Sequence, residues 1–246
     1  MRVLVISDVH GNLAALEAVL EDAGRRGYDQ AWCLGDVVGY GPEPNECIAE
    51  MRRINAFTVV GNHDFAAIGE MDVADFNAEA RRAVLWTRDQ LTAASRRWLS
   101  DLPKEPTTSE SVTTTHGSPR DPIWEYVLHT HTAQANLSHF STAVCLVGHT
   151  HAPAIFVRPA DDADMRIARV QCGMVFTWQP GERAIMNPGS VGQPRDSDPR
   201  AAYALLDTVS RTWLPLRVAY PIETTQAHMR AARLPERLIN RLAFGW

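Results

Sequence analysis

The chain has 246 residues, of which 45% are hydrophobic and 22% are charged, and it carries a formal net charge of -5 with a pI near 6.0. These values are ordinary for a folded globular protein and exclude a disordered or collagen-like chain. The net negative charge argues against a standing attraction for nucleic acid or an anionic membrane surface. No run of eighteen apolar residues is present, so we expect no membrane-spanning helix.

No change of composition marks an internal boundary, so residues 1–246 are predicted to form one domain. The cysteines show no C-x-x-C spacing and are expected to be buried free thiols. They are Cys33, Cys47, Cys145 and Cys172. The first predicted strand begins at Arg2 and leads into a polar motif by Asp8, which leaves no room for a signal peptide. We therefore expect a cytoplasmic location.

The N-terminal half alternates short apolar runs with amphipathic segments, which is typical of an α/β fold with a parallel or mixed sheet covered by helices. The predicted elements, in chain order, are a strand at Arg2–Ser7, a helix at Leu13–Arg26, a strand at Ala31–Leu34, a helix at Glu43–Arg53, a strand at Ala56–Val60, one or two helices within Val73–Leu102, and strands at Val112–Thr115 and Ala143–Val147.

After Thr150 the sequence changes to short β-like runs separated by turn residues, which predicts a second, mostly antiparallel sheet. The predicted strands are Ala154–Val157, Met165–Val170, Arg183–Met186, Ala202–Asp207 and Thr212–Val218. The tail from Glu223 to Trp246 has a helical, basic pattern and is expected to be a solvated packing helix.

Five short motifs place metal-ligand side chains directly after predicted strands. They are SDVHG with Asp8 and His10, LGD with Asp36, VGNHD with Asn62 and His63, THGSP with His116, and GHTH with His149 and His151. In an open α/β sheet the loops beyond the carboxyl ends of the strands meet at one crevice, so these side chains are expected to converge. Residues i and i+2 of an extended segment share a face, so Asp8 and His10 should reach one site together. The same pattern predicts a shared site for His149 and His151.

Seven of these side chains offer imidazole or oxygen donors, enough for two divalent ions if Asp36 bridges them. The predicted ligands are Asp8, His10, Asp36, Asn62, His116, His149 and His151. A mixed nitrogen and oxygen set without thiolates suits Mn, Fe, Co, Ni or Zn, and argues against an iron-sulfur, Ca or plain Mg site. Two ions about 3.5 to 4 Å apart can activate a bridging hydroxide for in-line displacement at phosphorus.

Other polar residues are candidates for catalysis or substrate binding. His63 adjoins Asn62 but faces elsewhere in an extended backbone, so we predict that it is the general acid, with Asp64 as its orienting partner. Arg120 and Arg195 are candidate phosphate-binding residues because an arginine fork matches phosphate geometry, although loop arginines are commonly solvated.

The five motifs resemble the calcineurin-like metallophosphoesterase family, whose pattern D-x-H, G-D, G-N-H-D/E, H, G-H-x-H is intact in order between residues 8 and 151. The resemblance implies a four-layer αββα sandwich with two facing mixed sheets, and His63 as general acid. It implies one ion held by Asp8, His10, Asp36 and His151, and the other by Asp36, Asn62, His116 and His149.

Two further segments, GDVVGYGP and NPGSVGQPR at Asn187–Arg195, are similar to the small bacterial branch of this family. The protein phosphatase branch is disfavoured. GDVVGYG lacks the Asp-Arg-Gly ending of that branch, and Val59 and Val60 stand where an arginine precedes G-N-H-E.

The resulting functional prediction is a binuclear metal-dependent phosphoesterase that hydrolyses a small phosphomonoester, phosphodiester or nucleotide. An alternative is a dinucleoside polyphosphate hydrolase, for which aromatic contacts to bases could come from Tyr40, Trp86, Trp124 and Tyr126. An alternative of another class is a noncatalytic scaffold that keeps the fold for protein interaction. The sequence predicts no particular protein partner.

Overall fold

Two mixed β-sheets form the centre of the protein in this computed structural model, which describes residues 1–109, 111–161 and 163–246. The strands are β1 (Arg2–Ile6), β2 (Gln30–Cys33), β3 (Phe57–Thr58), β4 (Thr107–Ser109), β5 (Val112–Thr114), β6 (Val144–Leu146), β7 (Ala154–Arg158), β8 (Arg166–Ile167), β9 (Phe176–Thr177), β10 (Arg183–Asn187), β11 (Ala201–Asp207) and β12 (Thr212–Val218). The first sheet has the order β3-β2-β1-β11-β12-β9, and the second has the order β4-β5-β6-β10-β7-β8.

Parallel pairing brings the carboxyl ends of several strands to the same edge of each sheet. In the first sheet β1 pairs parallel with β2, and β2 pairs parallel with β3, whereas β11 runs antiparallel to β1. In the second sheet β6 pairs parallel with both β5 and β10. The loops that follow β1, β2, β3, β5 and β6 therefore carry the chain out of the sheets next to one another.

The helices cover the outer faces of the sheets. They are α1 (Leu13–Arg26), α2 (Pro44–Arg53), α3 (Asn62–Ile68), α4 (Ala78–Gln90), α5 (Ala93–Ser100), α6 (Thr130–Asn136), α7 (Ile222–Ala231) and α8 (Glu236–Arg241), with a short 3-10 helix at Leu137–His139. Helix α1 shows how the sequence sets such an element. The Asn12 side chain accepts a hydrogen bond from the Ala15 amide at the start, and Gly27, with a φ of 78°, ends the helix.

Three buried clusters define four layers. Between the sheets pack apolar side chains of both, including Val5, Trp32, Leu146, Met186 and Trp213. The outer face of the first sheet packs on most of the helices, and the outer face of the second packs on the α6 region. The fold is therefore the expected αββα sandwich with two facing mixed sheets.

The structure corrects the predicted second sheet. The strands after Thr150 do not form a sheet of their own, because β9, β11 and β12 join the N-terminal strands while β7, β8 and β10 join β5 and β6. Local hydrophobic patterns identify strands but contain no signal for which sheet each strand enters. The prediction of helices within Val73–Leu102 is confirmed as α4 and α5.

Other local predictions also need correction. The segment from Asn62 is helical rather than extended, because α3 begins there, and the tail forms α7 and α8. Cys172 is exposed, whereas the other three cysteines are buried free thiols as expected. None of the described helices combines the length and the apolar composition needed to cross a membrane.

Candidate metal centre

The candidate metal ligands all lie in loops just beyond strand ends. Asp8 and His10 follow β1, Asp36 follows β2, Asn62 follows β3, His116 follows β5, and His149 and His151 lie between β6 and β7. All of these side chains are buried. The fold thus brings residues from distant parts of the sequence to one place, as the sequence predicted.

One group of ligand atoms comes from Asp8, His10, Asp36 and His151. These atoms all lie within 4.8 Å of one another and could hold a metal ion. His151 Nε2 lies 3.3 Å from Asp8 Oδ1, and His10 Nε2 lies 3.6 Å from Asp36 Oδ2. The nitrogen and oxygen donors match the set that divalent transition metals prefer.

A second group shares Asp36 with the first. Ligand atoms of Asp36, His116 and His149 lie within 4.8 Å of one another. Asn62 belongs with them, because its Oδ1 lies 3.1 Å from His116 Nε2. Asp36 Oδ2 lies 3.4 Å from the same nitrogen, so this carboxylate oxygen is close to both groups. It therefore stands where a bridging ligand would have to be.

The hydrogen bonds of the first group leave two nitrogen lone pairs facing each other. His10 Nδ1 contacts Val38 O at 3.1 Å, and His151 Nδ1 contacts Gln193 O at 2.7 Å. A carbonyl oxygen only accepts, so each Nδ1 carries the proton. Burial lowers the pKa of both imidazoles well below the ordinary value, so each Nε2 is unprotonated at neutral pH. These two nitrogens are 3.1 Å apart, an arrangement that a cation would stabilise.

In the second group several acceptors converge on one nitrogen. His116 Nδ1 donates to Leu34 O at 2.8 Å, which aims Nε2 at Asn62 Oδ1 and His149 Nδ1, each 3.1 Å away. Burial opposes a charge on His116, but the adjacent Asp36 carboxylate outweighs it and raises the pKa to about 9. In the absence of metal a proton on His116 supplies positive charge here. A divalent ion would replace that proton, because metals bind the neutral imidazole.

In Asp8 and in Asp36, one carboxylate oxygen accepts a hydrogen bond from a backbone amide and the other does not. Asp8 Oδ2 accepts from the His149 amide at 3.2 Å, and Asp36 Oδ1 accepts from the His63 amide at 2.8 Å. Asp8 Oδ1 and Asp36 Oδ2 are buried without a hydrogen-bond partner in the described structure. Buried carboxylate oxygens without partners are costly unless a cation binds them. The residues present therefore fit two divalent ions, with the shared Asp36 between them.

The segment with Asp8 and His10 and the segment with His149 and His151 reach the site differently from the prediction. Asp8 and His10 do enter the same group, but His149 and His151 enter different groups. The extended-strand argument is therefore wrong for the second pair. Positive φ angles, rather than extended backbone, turn these residues into the site. They occur at Asp8 (54°), His10 (51°), Asp36 (54°), His149 (65°) and His151 (59°).

Comparison with known proteins agrees with this geometry. A family model described as the calcineurin-like phosphoesterase superfamily domain matches residues 1–211. An uncharacterized protein of Methanocaldococcus jannaschii is 35% identical over 99% of this chain and 98% of its own. The chain belongs to the calcineurin-like phosphoesterase superfamily. This confirms the resemblance drawn from the motifs, and the superfamily comprises phosphoesterases that use divalent metals.

Two more relatives are informative at different scales. A crystal structure of a metallophosphoesterase from Sphaerobacter thermophilus is 46% identical, covers 100% of this chain and 99% of its own, and superposes with a TM-score of 0.88. A symmetrical bis(5'-nucleosyl)-tetraphosphatase from Psychromonas ingrahamii is 39% identical over 67 residues, which are 26% of this chain and 24% of that enzyme. The second likeness is therefore confined to a short segment.

In this phosphoesterase-superfamily chain, His63 lies beside the metal ligands without being one of the grouped residues. Its ring contacts those of His10, with centroids 4.9 Å apart, and of Tyr40, with centroids 4.3 Å apart. Its Nδ1 is buried without a hydrogen-bond partner in the described structure. Gly39 permits this position, since a Cβ there would lie 2.6 Å from His63 Nδ1. Burial lowers the pKa of His63 to about 4.

Asp64 does not act as the orienting partner that the sequence suggested for His63. Its Oδ1 accepts from the Val38 amide and its Oδ2 from the Gly61 amide, each at 3.0 Å. The carboxylate therefore fixes the loop after β2 against the start of α3. Through this loop it positions the site without touching the His63 ring.

The two candidate arginines differ in their surroundings. The Arg120 guanidinium is occupied by Glu125, whose carboxylate accepts from its Nε at 2.9 Å. Arg195 donates from Nη2 to Gln193 Oε1 at 2.9 Å and to the Tyr40 hydroxyl at 3.3 Å, while its Nε is buried and has no hydrogen-bond partner among the described residues. The Arg195 amide also donates to the carbonyl of the metal-ligand candidate His151 at 3.2 Å. Arg195 is thus the better placed of the two to meet a substrate at the metal centre.

A cleft of about 900 Å³ opens beside the metal centre. Tyr40 and Tyr126 line it, and Tyr126 also stacks on the His149 ring with centroids 4.0 Å apart. Of the other predicted base contacts, Trp124 packs edge-on against Phe76, and Trp86 packs against the core of the first sheet. The cleft wall also contains residues of the C-terminal tail that sequence reasoning did not select. They are Arg237, Leu238, Asn240, Arg241, Phe244 and Trp246.

Proposed function

We propose that this chain is a binuclear metal-dependent phosphoesterase that uses water to hydrolyse a small phosphomonoester, phosphodiester or nucleotide. The observation that carries the proposal is the shared Asp36 between two groups of buried donors whose free lone pairs point inward. The first ion would be held by Asp8, His10, Asp36 and His151. The second would be held by Asp36, Asn62, His116 and His149. Mn, Fe, Co, Ni and Zn all suit this donor set.

Such a metal pair supplies Lewis acidity, which lowers the pKa of bound water and neutralises charge on the phosphate oxygens. The chain itself holds the ligand side chains in position. Asp8 and Asp36 each accept a hydrogen bond from a backbone amide on one oxygen. This bond fixes the side-chain rotamer, so the other oxygen already points to the metal centre. The carbonyl partners of the histidines fix the ring nitrogen that faces inward.

His63 is the proposed proton donor to the leaving oxygen. In the free protein its lowered pKa keeps the imidazole neutral at neutral pH. A phosphate group bound against the ring would raise that pKa, since an opposite charge within about 4 to 6 Å favours the protonated form. Protonation would then accompany substrate binding. Arg195, whose guanidinium lies 5.8 Å from the Tyr40 ring, is the proposed contact for a phosphate of the substrate.

A dinucleoside polyphosphate hydrolase is the alternative that a specific observation favours. A symmetrical bis(5'-nucleosyl)-tetraphosphatase shares a segment of 67 residues with this chain, and aromatic side chains line the cleft beside the site. A noncatalytic scaffold is the alternative of another class. It would be expected to lose at least one ligand or His63, whereas this chain keeps the complete set.

The decisive experiment measures metal content and hydrolysis rate on the same preparation of the protein. The purified protein should contain close to two transition-metal ions per chain, and removing them with a chelator should abolish hydrolysis of nitrophenyl phosphate and bis-nitrophenyl phosphate. Adding back Mn, Co, Ni or Zn should restore it. If the protein holds no metal and none of these ions restores hydrolysis of a monoester, a diester or a nucleotide, the scaffold function would replace the proposed one.

A further inference from the structure

The C-terminal segment forms one wall of the cleft beside the metal centre. Leu238 and Leu242 anchor α8 in the helical layer of the first sheet, where both are buried. The Ser197 amide donates to Gly245 O at 2.9 Å, and a Cβ at Gly245 would lie 2.7 Å from the backbone of Asp198. The segment is thus docked closely on the loop that follows Arg195. Because the family model ends at residue 211, this wall lies outside the part of the chain that the model matches.

This docking places Arg195 and Arg241 in the same cleft, where no side-chain carboxylate of the described residues forms an ion pair with either guanidinium. By contrast, Arg237 in the same cleft lies 3.7 Å from Glu79. Among the described residues, Arg241 Nε donates to the backbone oxygen of Trp246. Burial, together with the neighbouring positive charge of Arg195, lowers the pKa of Arg241 to about 10.

Arg195 has an unused donor as well. Within the part of the chain that the structure describes, its Nε is buried without a hydrogen-bond partner, and so is Nε2 of Gln193. Buried donors in this state are unfavourable unless a ligand accepts from them. The centroid of the Tyr40 ring lies 5.8 Å from Arg195 Cζ. The backbone of Tyr40 has a φ of 56°, which is uncommon for a bulky residue. The cleft is therefore lined by Tyr40, which has a positive φ, and by Arg195 and Arg241, neither of which is ion-paired with an Asp or Glu side chain of the described residues.

Aromatic rings complete the cleft. Phe244 and Trp246 stack on each other with centroids 4.6 Å apart and remain 51% and 61% exposed. Tyr126, on the opposite side, connects the cleft to the metal-ligand candidate His149. Exposed stacked rings of this kind bind the planar faces of bases, at about 1 to 3 kcal/mol per base.

We propose that Arg195 and Arg241 form a second anion site next to the metal centre, so that the preferred substrate is a nucleoside carrying more than one phosphate. The reacting phosphate lies at the metal ligands, the next phosphate lies between the two guanidiniums, and the base lies against the C-terminal aromatic rings. This inference rests on the proposed phosphoesterase function and narrows its substrate class.

Binding of two nucleotides that differ by one phosphate tests the second anion site. The metal-loaded protein should bind the hydrolysis-resistant α,β-methylene analogue of ADP about tenfold more tightly than AMP, as measured by titration calorimetry. Arg195→Gln and Arg241→Gln should each lose most of this tenfold preference, because each removes a hydrogen bond to a charged group, and should change the affinity for AMP much less. Arg230→Gln on α7 removes the same charge outside the cleft and should leave both affinities unchanged.

Several outcomes would overturn the second anion site. They are equal affinity of the wild type for AMP and the analogue, or an unchanged affinity in Arg241→Gln. Arg241→Lys keeps the charge and most of the stem, so it should lose less than Arg241→Gln, and an equal loss would assign Arg241 a structural role instead. If imidodiphosphate binds as tightly as the analogue, the base contact is refuted. Hydrolysis of nitrophenyl phosphate, bis-nitrophenyl phosphate and a nucleotide by the wild type is measured in parallel, because the absence of all three activities would refute the proposed function while the binding comparison still tests the anion site.

Discussion

Asp36→Asn provides the sharpest test of a shared metal centre. The amide is nearly isosteric with the carboxylate, and its oxygen can still accept from the His63 amide, which now lies 2.8 Å from Asp36 Oδ1. The amide nitrogen would then face the unprotonated Nε2 of His10, 3.6 Å from the present Oδ2, and could donate to it. The substitution therefore removes the bridging charge but keeps the local packing.

The magnitude follows from linkage between metal binding and folding. One ion at a free concentration of 100 times its dissociation constant stabilises the folded state by about 2.7 kcal/mol, so two ions contribute about 5 kcal/mol. For a protein of this size each kcal/mol shifts the melting temperature by about 2 to 4 °C, which gives a total rise of about 10 to 20 °C on metal addition. Asp36→Asn should lose most of that rise, because the carboxylate belongs to both groups of ligands. In the metal-free variant His116 loses the adjacent carboxylate that raises its pKa, so the metal-free melting temperature should itself fall, and each rise on metal addition is measured against the metal-free form of the same variant.

The assay is thermal unfolding with and without added Mn, together with elemental analysis of the dialysed protein. Asp89→Asn is a matched control, since it removes one carboxylate from an exposed position on α4. The control should retain both ions and the full melting-temperature rise. If Asp36→Asn also retained two ions and the same rise, Asp36 would not be shared, and the binuclear arrangement derived from its position would be refuted.

The remaining predictions concern the division of ligands, the proton donor and pH. His116→Ala should weaken one ion and His10→Ala the other in metal titrations, and an identical loss pattern would contradict the assignment to separate ions. His63→Ala should keep both metals but lose roughly 10² to 10⁴ of turnover on esters with poor leaving groups, and less on nitrophenyl esters. Equal slowing of both ester types would indicate that His63 positions the phosphate or metal rather than donating a proton. Acidification from pH 6.5 towards 4 should lower the free energy of unfolding of the metal-free protein. The unfolded chain takes up protons near 6.5, whereas burial lowers the pKa of His63 to about 4, of His149 to about 3, and of His10 and His151 well below the ordinary value in the folded protein. Burial raises the pKa of Asp8 and Asp64 to about 7, which acts in the opposite direction but involves fewer groups. Urea unfolding at several pH values checks this, and a stability that does not fall over this range would contradict it.

The sequence predicted most individual elements because each has a local cause. Helix α1 has its cap and its apolar spacing within a few residues, and the predicted range, Leu13–Arg26, is the observed one. The assignment of strands to sheets failed because it depends on pairing over long distances in sequence. Strand β11 lies next to β1, for example, with Leu4 opposite Leu205. Nothing near either residue specifies that partner.

The site shows the same division between local and distant causes. Motifs with ligand-type side chains after strands predicted which residues converge, because parallel strands end at a common edge. The backbone at these residues was not predictable from side-chain identity. The i, i+2 rule assumes an extended chain, whereas Asp8, His10, His149 and His151 all have positive φ; the first pair enters one group and the second pair enters two. Arg241 was missed because it lies in a tail whose composition resembles an ordinary solvated helix.

The left-handed residues explain why the loops of the site are so closely interlocked. Five of the seven candidate ligands have positive φ, which costs roughly 1 to 2 kcal/mol for each residue with a side chain, or about 5 to 10 kcal/mol in sum. That sum is comparable with the whole net stability of a typical domain, about 5 to 15 kcal/mol. The backbone offsets it with hydrogen bonds between loops, including Asp8 to Gly35 O at 3.0 Å and His10 to Asp36 O at 2.9 Å. Glycine would relieve the strain, but it would remove the ligand. The chain therefore keeps strained aspartates and histidines where donors are needed. The free energy of cation binding would offset part of this cost, so metal content and stability should change together in Asp36→Asn.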